Sequence, residues 1–260
     1  MKRLYHDICS YYNYIKYSAI ADLKSEVTNS YLDWFWWILE PICNMLIFYF
    51  IFGFIFHMEE SYFLVFIFSG ITLWNYFNKC VTTAVRLIKD SKGIITRVYI
   101  PKQVLLLEKM MVNFWKLLIS SGIVVVLLLV YRVPIDYHIF ALVPVMIVFF
   151  IFTYGVCCIL MHFGVYVDDL SYIVGILLNM LFYFTGIFYS ILNQFPNPLG
   201  ILFERVNPLA FFISSMRYAI MFREDVPFIT LMIWTGISIF IAYVGTKLIY
   251  NNENNYVKVV

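Results

Sequence analysis

Few residues in this chain have the type and spacing that covalent chemistry requires. Asp168 and Asp169 come nearest to a pair of carboxylates, yet adjacent side chains on a helix point about 100° apart and cannot easily grip one ion. The chain has no G-x-x-x-x-G-K-[ST] phosphate loop, no H-E-x-x-H and no G-x-S-x-G. ATP binding by that loop, zinc hydrolysis and serine hydrolysis therefore each lack their motif. Cys9, Cys43, Cys80, Cys157 and Cys158 show no metal-ligand spacing and read as small apolar side chains. No catalytic residue and no metal ligand is assigned.

Two other groups of residues have types suited to binding. Phe48, Tyr49, Phe52 and Phe56 fall in one apolar run, with Phe48, Phe52 and Phe56 on one helical stripe, and Tyr183, Phe188 and Tyr189 fall in another. Aromatic faces stack on the apolar faces of sugar rings and tyrosine hydroxyls add hydrogen bonds, so these residues could line a passage for a glycan. Packing against lipid or other helices is the plainer alternative. The second group is basic: Arg86, Lys89, Lys92, Arg97 and Lys102, with Asp90 among them and Ile94, Ile95, Val98 and Ile100 between. Such a segment suits docking into a groove on a partner protein, or attraction to anionic lipid. Glu40, just before Pro41, is an ionisable group near a span end. It reads as an interface anchor or helix contact, or as part of a transport path, and too few acids accompany it for an ion-driven carrier.

The elements that position these residues follow from composition. Of 260 residues, 63% are hydrophobic and only 13% charged, against about 25% charged in a soluble domain. A single soluble core cannot hide so much apolar side chain, which excludes a water-soluble enzyme; the net charge of +2 gives no reason to expect nucleic acid. We read one all-α transmembrane domain over 1–260. Residues 1–33 hold an amphipathic helix lying in the interface, and the first thirty lack the apolar run of a cleavable signal. Spans one to five occupy 34–192, at about 34–56, 62–84, 112–131, 139–165 and 172–192. A region at 193–226 is too apolar for a loop and too short to cross, so it reads as re-entrant. The sixth span covers 228–250. Fourteen of the 18 Lys and Arg lie in the N-terminal segment, around the basic stretch and in the tail, so both termini are expected in the cytoplasm.

Several strings, taken in order, then resemble a known family. Trp36-Trp37-Ile38-Leu39-Glu40-Pro41 heads the first span and Gly70-Ile71-Thr72-Leu73-Trp74-Asn75-Tyr76-Phe77 lies in the second. Ile94-Ile95-Thr96-Arg97-Val98-Tyr99-Ile100-Pro101-Lys102, Val167-Asp168-Asp169, Gly186-Ile187-Phe188-Tyr189 and Asn207-Pro208-Leu209 with Arg217 follow. Together they resemble the membrane subunit of type-2 ABC exporters for O-antigen, capsule or teichoic acid. The resemblance implies a homodimer in the inner membrane of a bacterium, driven by two copies of a separate ATPase that holds ATP and Mg; this chain itself carries no cofactor. It implies a coupling helix at Arg86, Lys89, Asp90, Lys92, Ile94 and Ile95, and a channel lined by the first and fifth spans. It also implies a gate of two short helices including Asn207, Pro208 and Arg217, and an undecaprenyl-linked glycan as cargo in contact with membrane lipid. Two departures stand out: Asp168 replaces the arginine usual before the fifth span, and Lys92 replaces an asparagine of the coupling region. A drug or small-lipid exporter of the same fold, or a membrane-embedded glycan polymerase or transferase, are the competing readings.

Overall fold

The structure, a computed structural model, describes residues 2–28, 33–57, 60–134, 136–196 and 198–259. Among the described residues every regular element is helical. Helix α1 (Lys2–Val27) buries Ile15, Ala19 and Leu23 on one stripe and exposes Tyr5, Tyr12 and Tyr17, the division expected of a helix lying along an interface. A 3-10 turn leads into α2 (Trp36–Phe48), which continues as a wider π-type helix over Tyr49–Ile55. Then follow α3 (Phe63–Asp90), the single turn α4 (Lys92–Ile95), α5 (Lys102–Val130), α6 (Leu142–Tyr166) and α7 (Leu170–Phe184). Beyond them lie the short α8 (Ile191–Gln194), α9 (Leu199–Val206), α10 (Pro208–Arg217) with a π-type continuation over Tyr218–Phe222, and α11 (Phe228–Val259).

Helix α3 is the central post. It is buried without interruption from Val65 to Trp74 and packs against α5, α6, α7, α2 and α10. Further along, α3 carries Asn75, Asn78, Lys79, Thr82 and Thr83, of which Thr82 is exposed and the others are half-buried. By length and composition, four described helical runs suffice to cross a membrane: Trp36–Ile55, Lys102–Val130, Tyr137–Tyr166 and Phe228–Tyr256. Helices α9 and α10 would make a fifth only as a pair bent by 102°. Two of the six expected spans thus fall outside that set, α3 by its polarity and α7 by its length. At 15 residues, α7 reaches about 22 Å, short of the roughly 30 Å hydrocarbon layer.

Several expected boundaries move. The second span runs past Ala84 to Asp90, carrying Arg86 and Lys89 onto α3 itself. The third begins at Lys102, directly after Pro101, because proline's fixed φ suits a helix start. The fifth stops at Phe184 instead of Leu192, and the last continues past Tyr250 to Val259. Both ends of the chain lie at one end of the bundle, where Arg3 Nη2 donates to Glu253 Oε2 at 2.8 Å.

Close helix approach depends on small residues. A Cβ on Gly164 of α6 would sit on the Val85 carbonyl oxygen of α3, and one on Gly155 would come within 2.7 Å of the Ala242 nitrogen of α11. Such contacts replace the hydrophobic drive that lipid cannot supply. Gly164→Ala is therefore expected to destabilise the protein by about 1–3 kcal/mol through overpacking, seen as a lower thermal midpoint in detergent. Gly175→Ala on α7, where a Cβ meets open space, leaves the midpoint unchanged.

Candidate functional site

The region between α7 and α11 forms an elbow. After Phe184 the chain leaves the helix, with Gly186 at φ +66°, a conformation that only glycine adopts freely. Arg217, 3% exposed, satisfies the carbonyls released there. Its Nη1 donates to the Gly186 oxygen at 2.7 Å, and its Nη2 donates to the oxygens of Ile187 and Phe66, each at 2.9 Å. The guanidinium carbon lies 3.4 Å from the centre of the Phe66 ring, a cation–π contact. Gly70 leaves the space: a Cβ there would come within 2.7 Å of Nη2. Arg217 thus joins α10 to both the broken end of α7 and the central post.

Asn207 and Pro208 open α10 together. The Asn207 Oδ1 accepts from the Leu209 and Ala210 nitrogens at 3.1 and 3.4 Å, and its Nδ2 donates to the Phe184 oxygen at 3.2 Å. This is an N-cap followed by proline at the first helical position, and it also ties the helix start to the end of α7. The three residues expected at a gate therefore meet in one elbow. Three more belong to it that the sequence did not single out: Tyr218 Oη donates to Glu204 at 2.7 Å, and Glu60 accepts from the Ser190 nitrogen and Asn193 Nδ2 at 3.3 and 3.1 Å.

The aromatic residues divide. Phe52 stacks on Phe188 at 4.3 Å with the rings 5° from parallel, and Phe48 lies 4.7 Å from Phe188. Phe188 was expected to line a passage, but at 1% exposure it is packed inside the subunit, because the turn after Gly186 folds it back under α2. Tyr49, Phe56 and Tyr183 stay on the surface. Tyr189 is half-buried and donates to the Tyr183 carbonyl at 3.0 Å.

At the opposite end, Arg86, Lys89 and Asp90 occupy the last turns of α3, while Lys92, Ile94 and Ile95 form α4. Ile95 is buried, whereas Ile94 is 49% exposed beside exposed Val98 and Tyr99. Lys89 Nζ donates to Asp168 Oδ1 at 2.5 Å, and the hydrogen bond and charge of Lys89 hold the Asp168 carboxyl below the usual carboxylate range. The pair therefore persists through neutral pH and is lost only as pH falls through that lowered value. Arg86, Lys89, Asp90, Asp168, Asp169 and Tyr172 border a cavity of about 320 Å³. Among the described residues no cluster of three His, Cys, Asp or Glu side chains is placed to hold a metal.

A second cluster at this end had no local signal. Glu253 accepts from Arg3 and, at 3.2 Å, from Tyr99 Oη, while Tyr250 Oη donates to Asp7 at 2.6 Å. Gln103 Nε2 donates to the Thr246 carbonyl at 3.1 Å. The first helix, the strand of chain after α4 and the last helix are thereby clasped together.

Arg217→Met is expected to leave the Gly186 and Ile187 carbonyls without this donor, each costing about 1–3 kcal/mol when buried, while the Phe66 carbonyl keeps its bond from Ser69 Oγ at 3.0 Å. The variant should accumulate poorly in membranes or melt well below the parent in detergent. Arg217→Lys, which keeps the charge but lacks the fork that reaches several carbonyls, should fall between the two.

No family model matches the chain. It is 23% identical over 257 residues, 98% of each chain, to a protein from Myxococcus xanthus named O-antigen export system permease protein RfbA. Two proteins of the same name from Klebsiella pneumoniae are 27% identical over 218 residues, 83% of each chain, and 25% identical over 197 residues, 75% of each. The apolar helices and these relatives together mark a multi-pass membrane protein. Along nearly its whole length the chain is therefore similar to permease proteins of O-antigen export systems.

Proposed function

We propose that this chain is the permease half of an ATP-driven exporter that moves a lipid-linked polysaccharide, or a teichoic-acid-like polymer, outward across the bacterial cytoplasmic membrane. The observation that carries this reading is the similarity to O-antigen export permeases over nearly the full length. A sequence with no nucleotide-binding loop agrees with energy supplied by another subunit, an ATPase present in two copies for each pair of permeases, with ATP and Mg held there.

In this reading six segments cross: α2 with its π-type continuation, α3, α5, α6, α7 with the elbow beyond it, and α11. Helices α8 to α10 re-enter from the outer face. The excess of Lys and Arg near the termini and α4 supports a cytoplasmic position for that end. Ile94, Val98 and Tyr99, exposed next to the charged end of α3, form the surface on which the ATPase seats. ATP binding there moves the two permeases relative to one another through α3, which runs unbroken to the elbow held by Arg217. Tyr49, Phe56 and Tyr183 face the glycan, with Phe52 and Phe188 as their packed backing, while the lipid end of the cargo stays near the bilayer.

Purified permease with its ATPase in proteoliposomes should hydrolyse ATP faster when undecaprenyl-linked glycan is added. Stimulation by small hydrophobic drugs alone would contradict the proposal. Ile94→Asp removes one apolar anchor of the docking surface, so stimulated hydrolysis should fall about tenfold or more, while the variant still inserts and keeps the parent's thermal midpoint.

A further inference from the structure

A cleft between α2, α3 and α5 gathers polar side chains that the export mechanism does not use. Glu40, Asn75, Lys79, Asn113, Lys116 and Ser120 border it around about 40 Å³ of water-accessible space, and it is open on one side. Trp74 of α3 packs on Phe182 at 5.3 Å. Asn75, Tyr76 and Lys79 project from the other side of the same helix, so the cleft faces away from the aromatic set around Phe188.

These groups are incompletely partnered. The Lys79 ammonium makes no hydrogen bond among the described residues; its nearest carboxylate oxygen is Glu40 Oε1 at 3.6 Å. Asn113 Nδ2 donates to the Lys109 carbonyl at 3.2 Å and contacts Cys80 Sγ at 3.7 Å, so both of its partners take the amide nitrogen. Lys116 holds Glu26, at the end of α1, at 2.6 Å. Each lining ammonium thus has one carboxylate near it, Lys116 bonded to Glu26 and Lys79 only close to Glu40, so among the described residues Lys79 is the lining cation left with all its donors unused. Trp37 forms part of the rim, with Trp34 and Trp36 just before it. Indole rings favour the headgroup layer, as does the amphipathic α1 that ends alongside. The cleft thus opens at the depth where lipid phosphates lie.

We infer that this cleft binds the anionic phosphate-ester headgroup of a membrane lipid. The phosphate takes hydrogen bonds chiefly from Lys79, whose three donors are unused, with Lys116 adding a donor not taken by Glu26. Glu40 and the Asn113 oxygen accept from hydroxyl groups carried on the headgroup. The inference requires only that the chain lies in a bilayer, so it stands independently of the exported cargo.

The test uses the full chain in phosphatidylcholine nanodiscs doped with photo-crosslinkable phosphatidylglycerol, with an uncharged galactosyl diacylglycerol probe as comparator. Phosphatidylglycerol should label α2, α3 or α5 peptides near the cleft, and Lys79→Gln with Lys116→Gln should cut that labelling about tenfold. Glu40→Gln, which frees Lys79 from its carboxylate, should keep or raise it. If the double variant does not fold, Lys79→Gln alone carries the test, since that ammonium makes no hydrogen bond inside the protein. Equal labelling by the two probes, or unchanged labelling in a folded lysine variant, would overturn the inference. Undecaprenyl phosphate is then added as competitor. Displacement of phosphatidylglycerol identifies the occupant as a carrier lipid, and lack of displacement identifies bulk phospholipid; either result supports an anionic phosphate-ester site.

Discussion

A helix that ends inside a packed bundle must find donors for the carbonyls it exposes, and Arg217 supplies them after α7. Arg217 is buried where water cannot easily take their place, and each buried carbonyl left without a donor costs about 1–3 kcal/mol. One guanidinium reaches three carbonyls from two separate segments, Phe66 on α3 and Gly186 with Ile187 after α7. Those bonds tie the turn at Gly186 and the start of the segment carrying Phe188 to α10 and α3. A lysine in its place would lack the rigid fork that matches diverging acceptors.

Around this anchor the bundle is organised by shielding. Neighbouring helices enclose the apolar half of α3 from Val65 to Trp74, and α6 approaches both α3 and α11 so closely that glycine is required at the contacts. A post that is enclosed on most sides and continuous from Phe63 to Asp90 can carry displacement from one end of the molecule to the other. Its last turns bear Arg86 and Lys89, and its upper turns hold the guanidinium of Arg217.

Much of this was legible in the sequence, for reasons that differ residue by residue. Low charge and long apolar runs reported a helical membrane protein, and Asn207-Pro208 reported a helix start because capping and fixed φ are local properties. The elbow was not legible in the same way. The apolar run through 185–192 looks like continuous helix, since a glycine with positive φ has no hydropathic signature. Arg217 gave no hint of its partners, because carbonyl oxygens belong to every residue. The placement of Phe188 could not be read from helical spacing once the helix had ended before it. Tyr99 and Glu253, 154 positions apart, meet only through the packing of the whole bundle.

The clasp at Arg3 and Glu253 has a consequence for how the molecule is made. Its two halves are separated by 250 positions, so the first helix leaves the ribosome long before its counterpart exists. During insertion α1 must wait on the membrane surface, held by its own amphipathic face, until the final helix has been delivered. Assembly of this end is therefore the last event of biogenesis, and a chain truncated before Glu253 would present the region after α4 without one of its supports.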